Sequence, residues 1–167
     1  GGLGVCHLGL RSRGDSARGR GRGTGGPEGG VVAGKTADVS VRWRNQLVFE
    51  GSGTGQPTIV IDGDTRVATS PTQLLLLAGA ACTGTDVVGI LEKMRVVLRT
   101  LEIEVEGTRR DDHPRRFTAI HFRFRVGGEG VDEAKMRRAV DLSLEKYCSV
   151  MASLAPDIRV TYDVTIA

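Results

Sequence analysis

The alternation of apolar and polar residues along the chain predicts two groups of β-strands. Strict alternation turns every second side chain to the same face, so such a strand buries one face and exposes the other. The first two strands read as a hairpin that turns at residues 44–46. The predicted strands cover residues 38–43, 47–50, 58–62, 66–68, 101–106, 117–126 and 158–166.

The segment between the two strand groups predicts one long helix. Ser70 and Pro71 are typical of an N-cap and a first helical position, and the helical pattern continues to about residue 99. Residues 74–82 have no polar face, so we expect this part to be buried on every side. At about 1.5 Å per residue the helix spans roughly 40 Å. Because a small domain needs less, we expect its buried end to pack against a second subunit.

Two shorter helices are predicted before the final strand. Asp132 is a suitable N-cap for the first of them. A short third helix or a kinked extension follows at residues 149–154, and Pro156 ends it. The order of strands and helices predicts an α+β fold, with antiparallel sheets around a long buried central helix.

The composition divides the chain into two unequal parts. Lys and Arg number 23 against 20 Asp and Glu, which gives a net charge of +3. The first 37 residues alone carry +4 and hold 13 of the 24 glycines, so the rest of the chain carries −1. A segment with so few large apolar side chains cannot form a core. We therefore predict a disordered Gly/Arg-rich tail over residues 1–36 and a folded domain over residues 37–167.

Several classes of partner and location are disfavoured by the same composition. The tail offers arginines to nucleic-acid phosphates, but it lacks interleaved aromatic residues for base stacking, so we expect no nucleic-acid partner. No apolar run approaches the roughly 18 residues of a membrane span, and the N-terminus lacks a secretory apolar region. Three cysteines do not make a disulfide scaffold. These features predict a cytoplasmic protein that does not bind a membrane.

Two cysteines are the candidates for reactive chemistry. Cys82 lies among small residues in the apolar part of the long helix, and Cys148 follows Tyr147 where the second helix kinks into the third. A thiol at a helix N-terminus has a lowered pKa because the free amide groups there favour the thiolate. The alternative is that both cysteines are inert core residues, since free Cys is among the most buried residue types.

Other kinds of site find less support in the sequence. The chain has no C-x-x-C motif, and its three histidines, His7, His113 and His121, lie in the tail, a turn and a strand. This pattern predicts no metal site and gives no base for a Cys–His hydrolase. No glycine-rich phosphate-binding motif opens a helix, so we expect no nucleotide cofactor.

Two segments carry a resemblance to a known family. Residues 70–88, SPTQLLLLAGAACTGTDVV, and residues 145–150, EKYCSV, resemble the OsmC/Ohr family of osmotically induced and organic hydroperoxide resistance proteins. The first hairpin and the strand at residues 101–107 also fit, so the resemblance covers about residues 38–167. It implies an OsmC-like fold in an intertwined homodimer, with the long helices buried between the subunits.

The resemblance also implies an enzyme, a cysteine-based thiol peroxidase that needs no metal, haem or flavin. Cys82 would attack the O–O bond of an organic hydroperoxide and become a sulfenic acid. Cys148 would then condense with it to a disulfide, which a cellular dithiol would reduce. A cation must support the Cys82 thiolate in apolar surroundings, and Arg44 is our choice, with Arg42 and Arg66 as alternatives.

One position separates this chain from the hydroperoxide-resistance branch. That branch carries a Glu that holds the catalytic Arg, and Thr72 occupies its place here. Thr cannot form the ion pair, and the Ser-Pro and Tyr-Cys-Ser-Val segments resemble the OsmC-like branch more closely. The alternative function is therefore a non-catalytic OsmC-like dimer that binds a small molecule or senses redox state through its thiols.

Overall fold

The computed structural model describes residues 36–167, and the predicted tail lies outside the described residues apart from Thr36. A π-helical turn, Ser143–Tyr147, joins the second and third α-helices. The elements are β1 (Val39–Asn45), β2 (Val48–Gly53), β3 (Ile59–Asp62), α1 (Pro71–Lys93), β4 (Val97–Arg109), β5 (Phe117–Glu129), α2 (Glu133–Leu142), α3 (Ser149–Ala152) and β6 (Arg159–Ile166). The fold is α+β, as the sequence predicts.

The first sheet is an antiparallel meander of β1, β2 and β3. The hairpin turns at Gln46 and Leu47, one to two residues later than predicted, and Gln46 adopts a φ of 43°. Every residue of β1 is exposed, including Trp43. The first sheet therefore has an apolar surface that the rest of the described chain leaves uncovered.

The predicted fourth strand at residues 66–68 is wrong. The Asp62 carboxylate accepts hydrogen bonds from the backbone N–H groups of Asp64, Arg66 and Val67. Because these backbone N–H groups bind the buried Asp62 side chain, they are not available to pair with a neighbouring strand. The same bonds hold the pKa of Asp62 below its ordinary value.

Helix α1 begins where the sequence predicts and ends earlier. Ser70 and Gln73 form a reciprocal capping box at its start. Its end comes at Lys93 because Arg95 adopts a left-handed φ of 62°, which leads the chain directly into β4. By length and mean hydropathy this helix could span a membrane, a property that core helices of soluble proteins share.

The burial of α1 is one-sided within a single chain. Its buried residues are Gly79, Thr83, Gly84, Val87 and Leu91. Leu77, in the segment without a polar face, is 55% exposed. The expected burial on every side is therefore incomplete in one chain.

The second sheet has the order β4-β5-β6 and forms the core with α1 and α2. β4 and β5 are antiparallel, as predicted, whereas β5 and β6 are parallel. The parallel pairing arises because α2 and α3 carry the chain back across the sheet before β6 begins. Phe122 and Phe124 are almost fully buried on β5, together with Met136 and Val140 of α2.

Close backbone packing at one end of this sheet generates a testable prediction. A Cβ atom on Gly128 would lie 2.4 Å from the Val97 carbonyl oxygen, whereas one on Gly89 would meet nothing within 4 Å. Gly128→Ala should lower the free energy of unfolding by about 1–3 kcal/mol. The new Cβ atom would clash with backbone atoms of β4, which cannot move aside as a flexible side chain can. Gly89→Ala, the matched control in a helix, should keep or raise stability. Denaturant unfolding measures both, and equal stability of the two variants would contradict the packing described.

Candidate thiol site

Two different elements bring the cysteines together. Cys82 lies in the middle of α1 and is half-buried, whereas Cys148 lies at the N-cap of α3 and is only 2% exposed. The π-helical turn ends at Cys148, whose backbone N–H donates to the Ser143 carbonyl oxygen at 2.8 Å. This wider turn determines the position of Cys148 relative to α2. π-Helical turns are frequent at functional sites.

The Asp86 carboxylate lies close to both thiols. The Sγ atoms of Cys82 and Cys148 and a carboxylate oxygen of Asp86 all lie within 4.8 Å of one another. Asp86 follows Cys82 by four residues on α1, so the two side chains lie on the same face of the helix. The predicted pair of reactive cysteines is thus assembled from positions 66 residues apart in the sequence.

Two buried hydroxyl groups orient this cluster. The Thr83 hydroxyl donates to Cys148 Sγ at 3.4 Å, and the Ser143 hydroxyl donates to Asp86 Oδ2 at 2.8 Å. Neither Thr83 nor Ser143 has any exposed surface. Hydroxyl groups buried to this extent need partners, so each one holds its acceptor in a defined position.

Burial dominates the acidity of Cys148. Loss of solvent raises the pKa of its thiol above the ordinary value, while hydrogen bonds from the Thr83 hydroxyl and the Met151 backbone N–H act in the opposite direction. The neighbouring Cys82 also raises the pKa of Cys148. The pKa of Cys148 is therefore raised, in contrast to the lowered pKa that its helix N-terminal position alone predicts.

The predicted cation, Arg44, has another partner in the described part of the chain. Its Nε atom lies 3.2 Å from Glu50 Oε1 across the β1–β2 hairpin. Among the alternatives, Arg66 lies 3.6 Å from Asp64, and Arg42 is directly opposite Glu50 in the strand register. These contacts leave the role predicted for Arg44 a prediction.

Thr72 makes no ion pair in residues 36–167. Its hydroxyl lies 3.3 Å from that of Ser70 at the start of α1. His121, on β5, lies between Thr161 and Asp163 of the neighbouring strand, with its Nδ1 atom 2.8 Å from the Thr161 hydroxyl. Neither residue belongs to the thiol cluster.

The sequence prediction missed Asp86, Thr83 and Ser143. For Asp86 a signal was present, because it is the first carboxylate of α1 and follows Cys82 by one helical turn. Thr83 and Ser143 carry no such signal. Their contacts depend on the packing of α2 and the π-helical turn against α1.

Comparison with known proteins establishes the family. The sequence model of the family described as OsmC-like protein matches residues 62–163, which include α1, both cysteines and most of the second sheet. The chain therefore belongs to the OsmC-like family. The family resemblance of the two cysteine segments is confirmed.

Individual relatives agree with this assignment. Protein YhfA of Escherichia coli strain K12 is 38% identical over 123 residues, which cover 73% of this chain and 92% of that protein. A hypothetical protein from Aquifex aeolicus VF5 has a similar structure, with a TM-score of 0.70 and 28% identity over 80% of this chain and 98% of that chain. The organic hydroperoxide resistance protein OhrB of Bacillus subtilis shares the fold, with a TM-score of 0.56 and 20% identity over 78% of this chain and 98% of its own.

The hydrogen bond from Thr83 to Cys148 leads to a prediction about thiol acidity. Thr83→Val keeps the shape of the side chain and removes a donor that stabilises the thiolate, so the pKa of Cys148 should rise further. Thr83→Ser keeps the hydroxyl and should leave the titration near that of the parent. The thiolate absorbance of Cys148 as a function of pH, in a background carrying Cys6→Ser and Cys82→Ser, measures the midpoint. A midpoint that stays or falls in Thr83→Val would show that this bond does not stabilise the thiolate.

Proposed function

We propose that the protein is a cysteine-based thiol peroxidase that reduces organic hydroperoxides. The observation that carries this proposal is the approach of the Cys82 and Cys148 thiols within 4.8 Å of each other in a family fold that OhrB shares. A disulfide needs an S–S distance of about 2.05 Å, which small movements at the N-cap of α3 can reach. The proposal extends the family assignment to a specific activity.

The different burial of the two thiols supports their order of reaction. Cys82 is the more accessible, so we assign to it the first encounter with the hydroperoxide. Its thiolate attacks the O–O bond, and with one proton the products are the Cys82 sulfenic acid and an alcohol. Cys148, held back by its raised pKa, then attacks that sulfur; the S–S bond forms and water leaves. A cellular dithiol reduces the disulfide and completes the cycle.

The surroundings of α1 favour organic substrates. A groove along the helix turns before Cys82 is lined mainly by apolar side chains, including Leu76, Leu77, Ala80 and Val105. Such walls favour an alkyl or aryl group over the small polar hydrogen peroxide. The cycle also needs a reducing environment for its dithiol, so we propose the cytoplasm as its location.

The cysteine assignments can be tested directly. Cys82→Ser should reduce hydroperoxide turnover with a dithiol to the rate without protein, because the attacking sulfur is gone. Cys148→Ser should stop after one turnover and accumulate the Cys82 sulfenic acid, which intact mass and a dimedone adduct detect. Cys6→Ser, the third cysteine, is the matched control and should keep full activity. Full activity in Cys82→Ser would refute the mechanism.

The alternative is a dimer that binds a small molecule or senses redox state without turnover. It is favoured by Thr72, which cannot form the ion pair of the hydroperoxide-resistance branch, and by the pairing of Arg44 with Glu50. The same experiment separates the two functions. A sensor forms one disulfide per oxidant and shows no continued consumption of hydroperoxide when dithiol is in excess.

We further propose that the working unit is a homodimer. Trp43 on β1 and Leu77 on α1 are 62% and 55% exposed in one chain, and each belongs to a larger apolar surface. Exposed apolar surfaces of this kind mark protein interfaces. In the proposed dimer a second copy covers both surfaces, and its hairpin brings its own Arg44 towards the Cys82 thiolate.

This arrangement predicts that assembly and activity depend on the same surface. Leu77→Lys should weaken the dimer, as measured by sedimentation velocity, because a charge would be buried in an apolar interface. Peroxidase activity should fall with the dimer, both because Arg44 is supplied by the other copy and because Leu77 also lines the proposed substrate groove. Val67→Lys, on an apolar residue of the loop after β3 that is 72% exposed, is the control and should keep both. Full activity of a monomeric Leu77→Lys variant would exclude a shared site.

A further inference from the structure

The peroxidase cycle leaves one member of the thiol cluster without a role. Asp86 points its carboxylate at the two thiols, and the Ser143 hydroxyl binds only one of its oxygens. In residues 36–167 Asp86 takes part in no ion pair. A half-buried carboxylate beside two thiols is a poor site for an anion and a good one for a cation.

The geometry of the three side chains fits a tetrahedral metal ion. With metal–sulfur distances of about 2.3 Å and metal–oxygen distances of about 2.1 Å, tetrahedral ligands lie about 3.6–3.8 Å apart. The ligand atoms of Cys82, Asp86 and Cys148 already lie within 4.8 Å of one another. Side-chain rotations that move these atoms by about 1 Å bring them to tetrahedral ligand distances. Three protein ligands leave the fourth position open to solvent.

The contacts behind these ligands are those of a built site. Metal ligands are held by hydrogen bonds to groups that do not touch the metal, and these bonds fix ligand orientation. Ser143 supplies such a bond to Asp86, and Thr83 supplies one to Cys148. Both residues are completely buried.

We infer that Cys82, Asp86 and Cys148 of the reduced protein form a binding site for one thiophilic divalent cation of the zinc class. Two thiolates and a carboxylate suit zinc better than magnesium or calcium, which prefer oxygen ligands alone. The expectation of no metal site depended on closely spaced motifs, whereas the two cysteines of the proposed site are 66 residues apart in the sequence and the fold brings them together.

Metal binding and oxidation compete for the same sulfur atoms. One organic hydroperoxide and two protons convert the two metal-bound thiolates into a disulfide, an alcohol and water, and the metal ion is released. The reduced site therefore holds the ion and the oxidised site cannot. The proposed site does not depend on catalytic turnover, since a single oxidation is enough to release the ion.

Cobalt(II) is a suitable probe because thiolate ligands give it an intense charge-transfer absorption. The reduced full-length protein should bind one equivalent with this absorption and lose it in Cys82→Ser and in Cys148→Ser. Asp86→Asn and Ser143→Ala should weaken binding at least about tenfold, since one removes a ligand charge and the other its support. Cys6→Ser should bind as the parent does, which excludes Cys6 as a ligand. Zinc loaded into the parent should appear in solution, by a zinc indicator, after one equivalent of cumene hydroperoxide.

Three results would overturn the inference. They are the absence of the charge-transfer absorption, its persistence without Cys148, and parental affinity in Asp86→Asn. Thermal melting of the metal-free variants, compared with the parent, ensures that a lost absorption does not come from a lost fold. Cobalt binding without dithiol-dependent turnover supports the metal site and rejects the peroxidase. Turnover without cobalt binding supports the peroxidase and rejects the metal site.

Discussion

The close packing of α1 against β4 determines which face of α1 carries the candidate thiol site. A Cβ atom at Gly84 would come within 2.8 Å of the Ile103 side chain, so the helix lies as near to the sheet as glycine allows. Val87 and Leu91 of the same helix belong to the hydrophobic core and are completely buried. One face of α1 is thereby fixed, and the orientations of Cys82 and Asp86 follow from it.

The π-helical turn provides the other half of the site. An uninterrupted α-helix from α2 would continue with 3.6 residues per turn and would present a different residue to α1. The wider turn instead ends at Cys148, where α3 begins, and leaves Ser143 buried against Asp86. Thiol chemistry and the proposed metal site both depend on this local departure from regular geometry, because both need Cys148 beside Cys82.

The surroundings of the cluster act on the pKa of Cys148 in opposite directions. Burial disfavours the thiolate form of Cys148, whereas the hydrogen bond from the Thr83 hydroxyl favours it. This hydrogen bond therefore offsets part of the effect of burial on the pKa of Cys148. In the proposed mechanism an arginine from a second copy stabilises the Cys82 thiolate and leaves its sulfur free to attack a hydroperoxide. A metal ion at the proposed site would instead occupy the sulfur atoms of both cysteines.

Local patterns in the sequence determined most of the secondary structure and the choice of the two candidate cysteines. Alternation, the Ser70 capping residue and the Asp132 N-cap depend on neighbours within a few residues, so β1 to β3, α1 and α2 could be predicted. The end of α1, the loop around Asp62 and the parallel pairing of β6 were decided by backbone hydrogen bonds and crossings that periodicity does not encode. The tertiary structure alone decided that Thr83 binds Cys148 and that Ser143 binds Asp86, because these contacts join residues 65 and 57 positions apart.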